Sequence, residues 1–278
     1  MREEKRIRPQ LGAGLLYPDT KEEIEEEMRA FGLGRGRVRA IMSPHAAFGM
    51  SGAASAAAYN EAMAFNNEIK HIVLLGGVHE SEEAGIFLSE SDAFETPLGN
   101  IPVEKSLNEA LSSCATIFRL NDLPHLQESC CDVQLPFIKN CFPKCSILPI
   151  LLSCPKKTGL ADKKILIDSL ANSLFISFES LLDKTLFVIS ANLGLDINWK
   201  VAEEQSKEII RLLEDEDYEQ YIKAALSGEA SFCGAYVTAA LLKSHLLDDC
   251  ICEMVPGTFG TGAQAGMVGY YASLAWKK

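Results

Sequence analysis

Two histidines, each just beyond a short apolar run, are the residues of this chain best placed to do chemistry. Val38–Met42 ends at Ser43-Pro44 and His45 follows at once; Ile69–Leu75 is broken by Gly76-Gly77 and His79 follows. Cys233 opens an apolar helical segment, and a helix start favours the thiolate form. Two imidazoles and a thiolate are a competent ligand set for a soft or borderline metal such as copper or zinc. The same histidines with one carboxylate would instead make the facial triad of non-haem iron(II) oxygenases. Glu128, Asp132 and Asp196 are the carboxylates in view, and no spacing rule selects among them. Asn192 stands just past a third apolar run, Thr185–Ser190, as the two histidines do past theirs. The remaining histidines read otherwise: His71 as structural, His125 as a surface residue of a polar loop, His245 as a group suited to a helix C-terminal dipole.

Several chemistries are excluded by what the chain lacks. Gly76-Gly77 is too short for a phosphate loop and has no Lys-Ser/Thr partner, so no nucleotide cofactor is expected. No Gly-x-Ser-x-Gly elbow of a serine hydrolase occurs. Zinc hydrolysis lacks a well-placed general base beside the histidines and cysteine. Nine cysteines, an odd number without a secretory signal, are expected to be free thiols. Neither Cys141–Cys145 nor Cys250–Cys252 has a second pair at zinc-ribbon spacing.

The elements that must position these residues alternate. Expected strands are Val38–Met42, Ile69–Leu75, Ile86–Ser89, Ser146–Leu152, Thr185–Ser190, Cys250–Val255 and Ala265–Ala275. Expected helices cover Lys21–Phe31, the alanine-rich Ser51–Phe65, Glu104–Ser112, Asp162–Phe178, Ala202–Leu213, Tyr218–Leu226 and Ser231–Leu247. Glu128–Asn140 is less regular, because Pro136 restricts any helix there to short pieces. The alternation predicts one α/β domain over residues 1–278, with a central mostly parallel or mixed sheet flanked by helices. Residues just past strand ends in such a sheet face the ligand crevice.

At 278 residues and 47% hydrophobic content the chain can bury a sizeable core. A formal net charge of -12 argues against nucleic acid and against anionic lipid as partners. No apolar stretch approaches the roughly 20 residues of a membrane span, and no signal core follows Met1–Arg6. A cytoplasmic location is the expectation.

Taken in order, these motifs resemble the Memo family, also called AmmeMemoRadiSam system protein B. The likeness rests on Arg8-Pro9, Ala13-Gly14 and Tyr17-Pro18, then Ser43-Pro44-His45-Ala46 and Leu75-Gly76-Gly77-Val78-His79. It continues through Thr96-Pro97-Leu98-Gly99, Glu128 with Leu135-Pro136-Phe137, Leu148-Pro149, Val188-Ile189-Ser190, Cys233-Gly234 and Val268-Gly269-Tyr270. It implies an extradiol-dioxygenase-like fold and puts His45, His79 and Cys233 at the metal-pocket positions, with copper or iron as the ion. Asn192, Glu128, Ser129, Asp132 and Tyr236 would line that pocket. The implied activity is metal-dependent, dioxygenase-like oxidative chemistry on a small-molecule substrate. The alternative is a non-catalytic module that keeps the fold and binds radical-SAM or AMMECR1-like partners.

The chain departs from the family pattern around the ligands. Where the family reads Ser-Ser-Asp-x-x-His, this chain has Ser190-Ala191-Asn192-Leu193-Gly194-Leu195, so an acid has become an amide and a histidine a leucine. A histidine able to move protons is replaced by Ser129. After Cys233-Gly234, Ala235-Tyr236 stand where basic or polar groups are usual.

Overall fold

A computed structural model describes residues 5–29, 36–65, 67–230, 232–264 and 267–278. The first half runs β1 (Ile7–Arg8), α1 (Lys21–Arg29), β2 (Val38–Ser43), α2 (Phe48–Ala62), β3 (His71–Gly77), β4 (Gly85–Leu88), β5 (Ala93–Phe94) and β6 (Ile101–Pro102). There follow α3 (Lys105–Cys114), β7 (Phe118–Leu120), α4 (Asp122–Gln127), α5 (Leu135–Cys141), β8 (Ser146–Ser153) and α6 (Leu160–Phe178). The rest comprises β9 (Thr185–Ser190), β10 (Gly194–Asp196), α7 (Trp199–Glu214), α8 (Tyr218–Ser227) and α9 (Ala235–Lys243). The chain closes with β11 (Ile251–Met254), β12 (Gly260–Gln264), β13 (Met267–Tyr271) and β14 (Leu274–Lys277).

Eight strands form one mixed sheet in the order β11-β14-β2-β9-β3-β8-β4-β7. Its centre, β2-β9-β3-β8, is parallel; β14 and β4 join it antiparallel on either side. The central strands are continuous apolar runs because both faces are covered. Val73, Leu75, Phe187 and Ile189 pack into one core, with α6, α8 and α9. Ile72, Leu74, Leu186 and Val188 pack into the other, with α2 and α5. Alanines of α2 let that helix approach the sheet closely.

Expectation and structure differ in several places. Gly76 and Gly77 do not break the second run; they are the last residues of β3 and pair with Leu151 and Leu152. The single closing strand expected over Ala265–Ala275 is β13 plus β14, its residues 265 and 266 lying outside those described. β13 also pairs with β10 and β12 in a separate three-stranded antiparallel sheet. The helix expected over Lys21–Phe31 is seen as Lys21–Arg29; Phe31 and the stop at 32–35 lie outside the described residues, as does Ser231. The helix expected to run to Leu247 ends at Lys243, and His245 adopts φ +61 beyond it with Nδ1 3.0 Å from Asp248. Its partner is therefore a side chain and not the helix end.

One helical stretch, Leu160–Lys184, is long and apolar enough to cross a membrane by length and composition, contrary to the sequence expectation. Here Leu166, Ile167, Leu170, Leu174 and Phe178 are buried in the core beneath it, which accounts for its apolar character. All nine cysteines are free.

Candidate metal centre

β2, β9 and β3 lie side by side, so the residues that follow their carboxyl ends meet at one rim of the sheet. His45 is pinned from three directions. Its own N–H donates to Asn192 Oδ1 at 3.0 Å, Ser55 Oγ donates to the Pro44 carbonyl at 3.1 Å, and Gln134 Nε2 donates to the same carbonyl at 2.9 Å. His79 is fixed by one carboxylate: Glu128 accepts from its backbone N–H at 2.6 Å and lies 2.8 Å from its Nδ1. Cys233 arrives from the turn before α9, and two glycines let it in. A Cβ on Gly77 would lie 1.9 Å from the Cys233 carbonyl oxygen, and one on Gly234 would lie 2.4 Å from Ala191 Cβ. Gly76-Gly77 thus serves close approach of backbones rather than a turn.

The ligating atoms of His45, His79 and Cys233 all lie within 4.8 Å of one another. Among the described residues they are the set of three metal-ligating side chains that converges in this way. Cys233 Sγ is 3.4 Å from His45 Nε2 and accepts from the Asn192 N–H at 3.1 Å. The two imidazoles meet edge to face, 5.3 Å between centroids. Donors bound to one ion sit within about 4 Å of each other, so a small side-chain adjustment closes the shell.

Hydrogen bonding fixes which ring nitrogens are free. Ser190 Oγ donates to the Cys130 carbonyl at 2.6 Å and accepts from Gln134 Nε2 at 3.1 Å. Its remaining capacity is as acceptor, so His45 Nδ1, 3.0 Å away, carries the proton and Nε2 presents a lone pair toward Cys233. Glu128, 2.8 Å from His79 Nδ1, accepts the proton of that nitrogen and so turns Nε2 toward Cys233. The Cys233 thiol is raised by burial, but the charge and hydrogen bonds of His45 and then His79 outweigh it and bring its pKa down to about 5. His79 is pushed up to about 10 by its hydrogen bonds to Cys233 and then Glu128, against burial. A cation entering here would displace the proton that His79 holds against Cys233.

The carboxylates divide by what already occupies them. Glu128 spends both oxygens on His79 and does not reach the cavity wall. Asp132, expected to line the pocket, does not: it is fully buried with Arg8 Nη1 on Oδ1 at 2.5 Å. The Leu11 and Gly12 N–H groups and the Tyr17 hydroxyl occupy its Oδ2 at 3.1, 2.8 and 2.7 Å. Asp196 accepts from the Asn198 N–H. Ser129 is half-buried and is not on the cavity wall. None of the three carboxylates singled out in the sequence, Glu128, Asp132 and Asp196, is placed to complete a facial triad with the two histidines. His71 pairs with Glu104 at 3.2 Å, away from the cluster. His125, read as a surface residue, is buried against Phe94 with Nε2 3.3 Å from the Phe87 carbonyl, because Arg8 binds its own carbonyl and draws the segment inward.

A cavity of about 590 Å³ opens on the exposed side of His79 and Cys233. Asn192 and Tyr236 line it, as do Met50, Phe232, Tyr270 and Tyr271. Its wall from β13 and β12 was not legible in the sequence, since Gly262 and Gly269 give no periodic apolar signal. Cys154, past the end of β8, is a second thiol on the wall that spacing did not single out.

Comparison with known proteins follows the geometry. The family model described as Memo-like protein matches residues 8–252. A Memo-type relative from Thermotoga neapolitana is 25% identical over 96% of this chain and 99% of its own length. One from Nitrosopumilus maritimus is 24% identical over 85% of this chain and 86% of its own. An uncharacterized Escherichia coli K12 protein of known crystal structure is 12% identical, covering 78% of this chain and 91% of that one, with a TM-score of 0.43.

Proposed function

This chain belongs to the Memo family, and from that premise we propose that it binds one copper ion through His45, His79 and Cys233 and carries out metal-dependent oxidative chemistry on a small molecule in the adjoining cavity. The observation that carries the reading is the direction of three free donor atoms. Both Nδ1 positions are committed to Ser190 and Glu128, which leaves the two Nε2 atoms and the Cys233 sulfur turned toward one point, where an entering ion would displace the proton that His79 holds against the sulfur. Two nitrogens and one soft sulfur suit copper better than iron, whose oxygenase site wants the carboxylate that Glu128 has already given to His79. When bound, copper supplies one-electron redox capacity toward dioxygen or superoxide.

The chain's own residues set the rest. Ser190 and Glu128 hold each imidazole in the tautomer that ligates, and the carboxylate makes His79 the more basic ligand. Asn192 holds the His45 loop through Oδ1 and the sulfur through its N–H. Three protein ligands leave a position open to the cavity, the arrangement of catalytic metal sites.

Metal analysis of protein purified without a chelating tag tests this. One copper per chain is expected, and His45→Ala with His79→Ala should abolish it while circular dichroism shows the fold intact. Failure of the wild type to take up copper, iron or zinc under reducing, metal-replete conditions overturns the reading. It would leave a partner-binding module of the radical-SAM and AMMECR1-like system.

A further inference from the structure

His45 is held by its ring and by its loop, and both routes lead to one buried amide. Gln134 is fully buried, at the end of the tight turn Asp132–Gln134 that leads into α5. Its Nε2 donates to Ser190 Oγ at 3.1 Å, and Ser190 Oγ lies 3.0 Å from His45 Nδ1. The same nitrogen donates to the Pro44 carbonyl at 2.9 Å, next to His45 in the chain, and to the Ser43 carbonyl at 3.4 Å. Neither route involves His79, whose ring and backbone are both held by Glu128.

Only one orientation of the amide fits. Two carbonyls and the Ser190 oxygen meet one end of it, and a carbonyl only accepts, so the nitrogen belongs there. At the other end Tyr59 donates its hydroxyl to Oε1 at 3.0 Å. Tyr59 is fully buried; burial, and then the neighbouring Cys141, Cys131 and Cys145, push its phenol well above the usual range, so it keeps the proton it donates. Its ring stacks on Phe137 with centroids 5.3 Å apart, and Phe137 stacks on Phe48 at 4.5 Å, which holds the hydroxyl in place.

Donation therefore runs one way, from Tyr59 to Gln134 to Ser190. At Ser190 the hydroxyl proton goes to the Cys130 carbonyl, Gln134 fills one lone pair, and His45 Nδ1–H takes the other. Loss of the amide would free the Ser190 oxygen on one side and the Pro44 carbonyl at the same moment, so ring and loop would loosen together.

We propose that Gln134, locked in orientation by Tyr59, is a positioning residue for His45: one amide sets ring and loop together and turns Nε2 toward Cys233, while Glu128 sets His79 independently. That this positioning serves an ion rests on the copper reading above; the positioning itself does not.

Proton–nitrogen NMR of full-length, histidine-labelled, metal-free protein tests the positioning, with signals assigned from His45→Ala and His79→Ala. The His45 Nδ1–H should exchange with water about 5–10-fold faster in Gln134→Met, the effect of one lost buried hydrogen bond, with the His79 Nδ1–H unchanged. Tyr59→Phe keeps the ring stack and removes only the hydroxyl. It should move the same signal in the same direction by less, and it decides the matter if Gln134→Met does not fold. Copper affinity, by competition against a chelator, should fall about tenfold in Gln134→Met. Equal acceleration at both histidines overturns the proposal, since a merely structural role loosens both. An unchanged His45 signal in either folded variant overturns it too, as does wild-type copper affinity in Gln134→Met. If the His45 signal responds as expected and the wild type takes up no copper, the metal reading fails and the positioning stands.

Discussion

Two polar clusters sit within a few residues of each other along the segment Glu128–Asp132, and they are built on opposite principles. Around Asp132 every oxygen is used: Arg8 on one side, two backbone N–H groups and the Tyr17 hydroxyl on the other, all out of water. Arg8 also donates to the His125, Glu128 and Pro9 carbonyls and lies 4.7 Å above the Phe94 ring. Around Glu128 the bonding stops one atom short. His79 and His45 are each held by one nitrogen, and the other is turned toward the Cys233 sulfur, which with His79 lines the cavity. A closed cluster ties chain segments together; a cluster whose metal-ligating atoms converge beside a cavity is a place for a ligand. The first also serves the second, since Arg8 holds the carbonyl of the residue whose side chain holds His79.

Breaking the closed cluster should cost most. Asp132→Ala strands a buried guanidinium, and a loss of about 3–5 kcal/mol of unfolding free energy is expected in urea denaturation. Ordinary stability in that variant would mean that the Arg8 knot is not what ties the segment down.

The same region should make the fold acid-sensitive. Burial, and then the Arg8 charge, hold His125 near a pKa of about 4 against about 6.5 in the unfolded chain. Above pH 6.5 both states are neutral there and the group contributes no slope. As pH falls from 6.5 to 4 the unfolded chain takes up a proton that the native one refuses, so stability drops, by about 3 kcal/mol at the most. Urea midpoints at pH 7 and pH 4.5 should differ less in His125→Asn than in the wild type; an unchanged difference would put the acid sensitivity elsewhere.

The open cluster should respond in affinity and hardly in stability. Removing the partner that orients a ligating histidine lowers metal affinity by about 10–100-fold. Glu128→Gln, which loses a charge as well as an acceptor, belongs at the upper end of that range, and Ser190→Ala at the lower. Competition titrations against a copper chelator would rank them, and the reverse order would show that His45 and not His79 is the stronger ligand.

The parts of this architecture that were legible in the sequence are those that local pattern encodes. β2, β3, β8 and β9 are unbroken apolar runs, and a residue just past such a run reaches the crevice wherever the strands lie in a parallel sheet. Asp132 was misread because its partner Arg8 is 124 residues away, and nothing local distinguishes an acid tied in a knot from one free to ligate. His125 was misread for the same reason: polar neighbours in sequence say nothing about a distant guanidinium that draws the backbone inside. Gly76-Gly77 carried its signal in another sense, since glycine marks a turn or a close approach and only the position of Cys233 decides which.

X-ray absorption at the copper edge of the loaded protein tests the central claim most directly. The three converging side chains predict a first shell containing one sulfur and two imidazole nitrogens, with the sulfur lost in Cys233→Ser. A shell of nitrogen and oxygen alone in the wild type would contradict it.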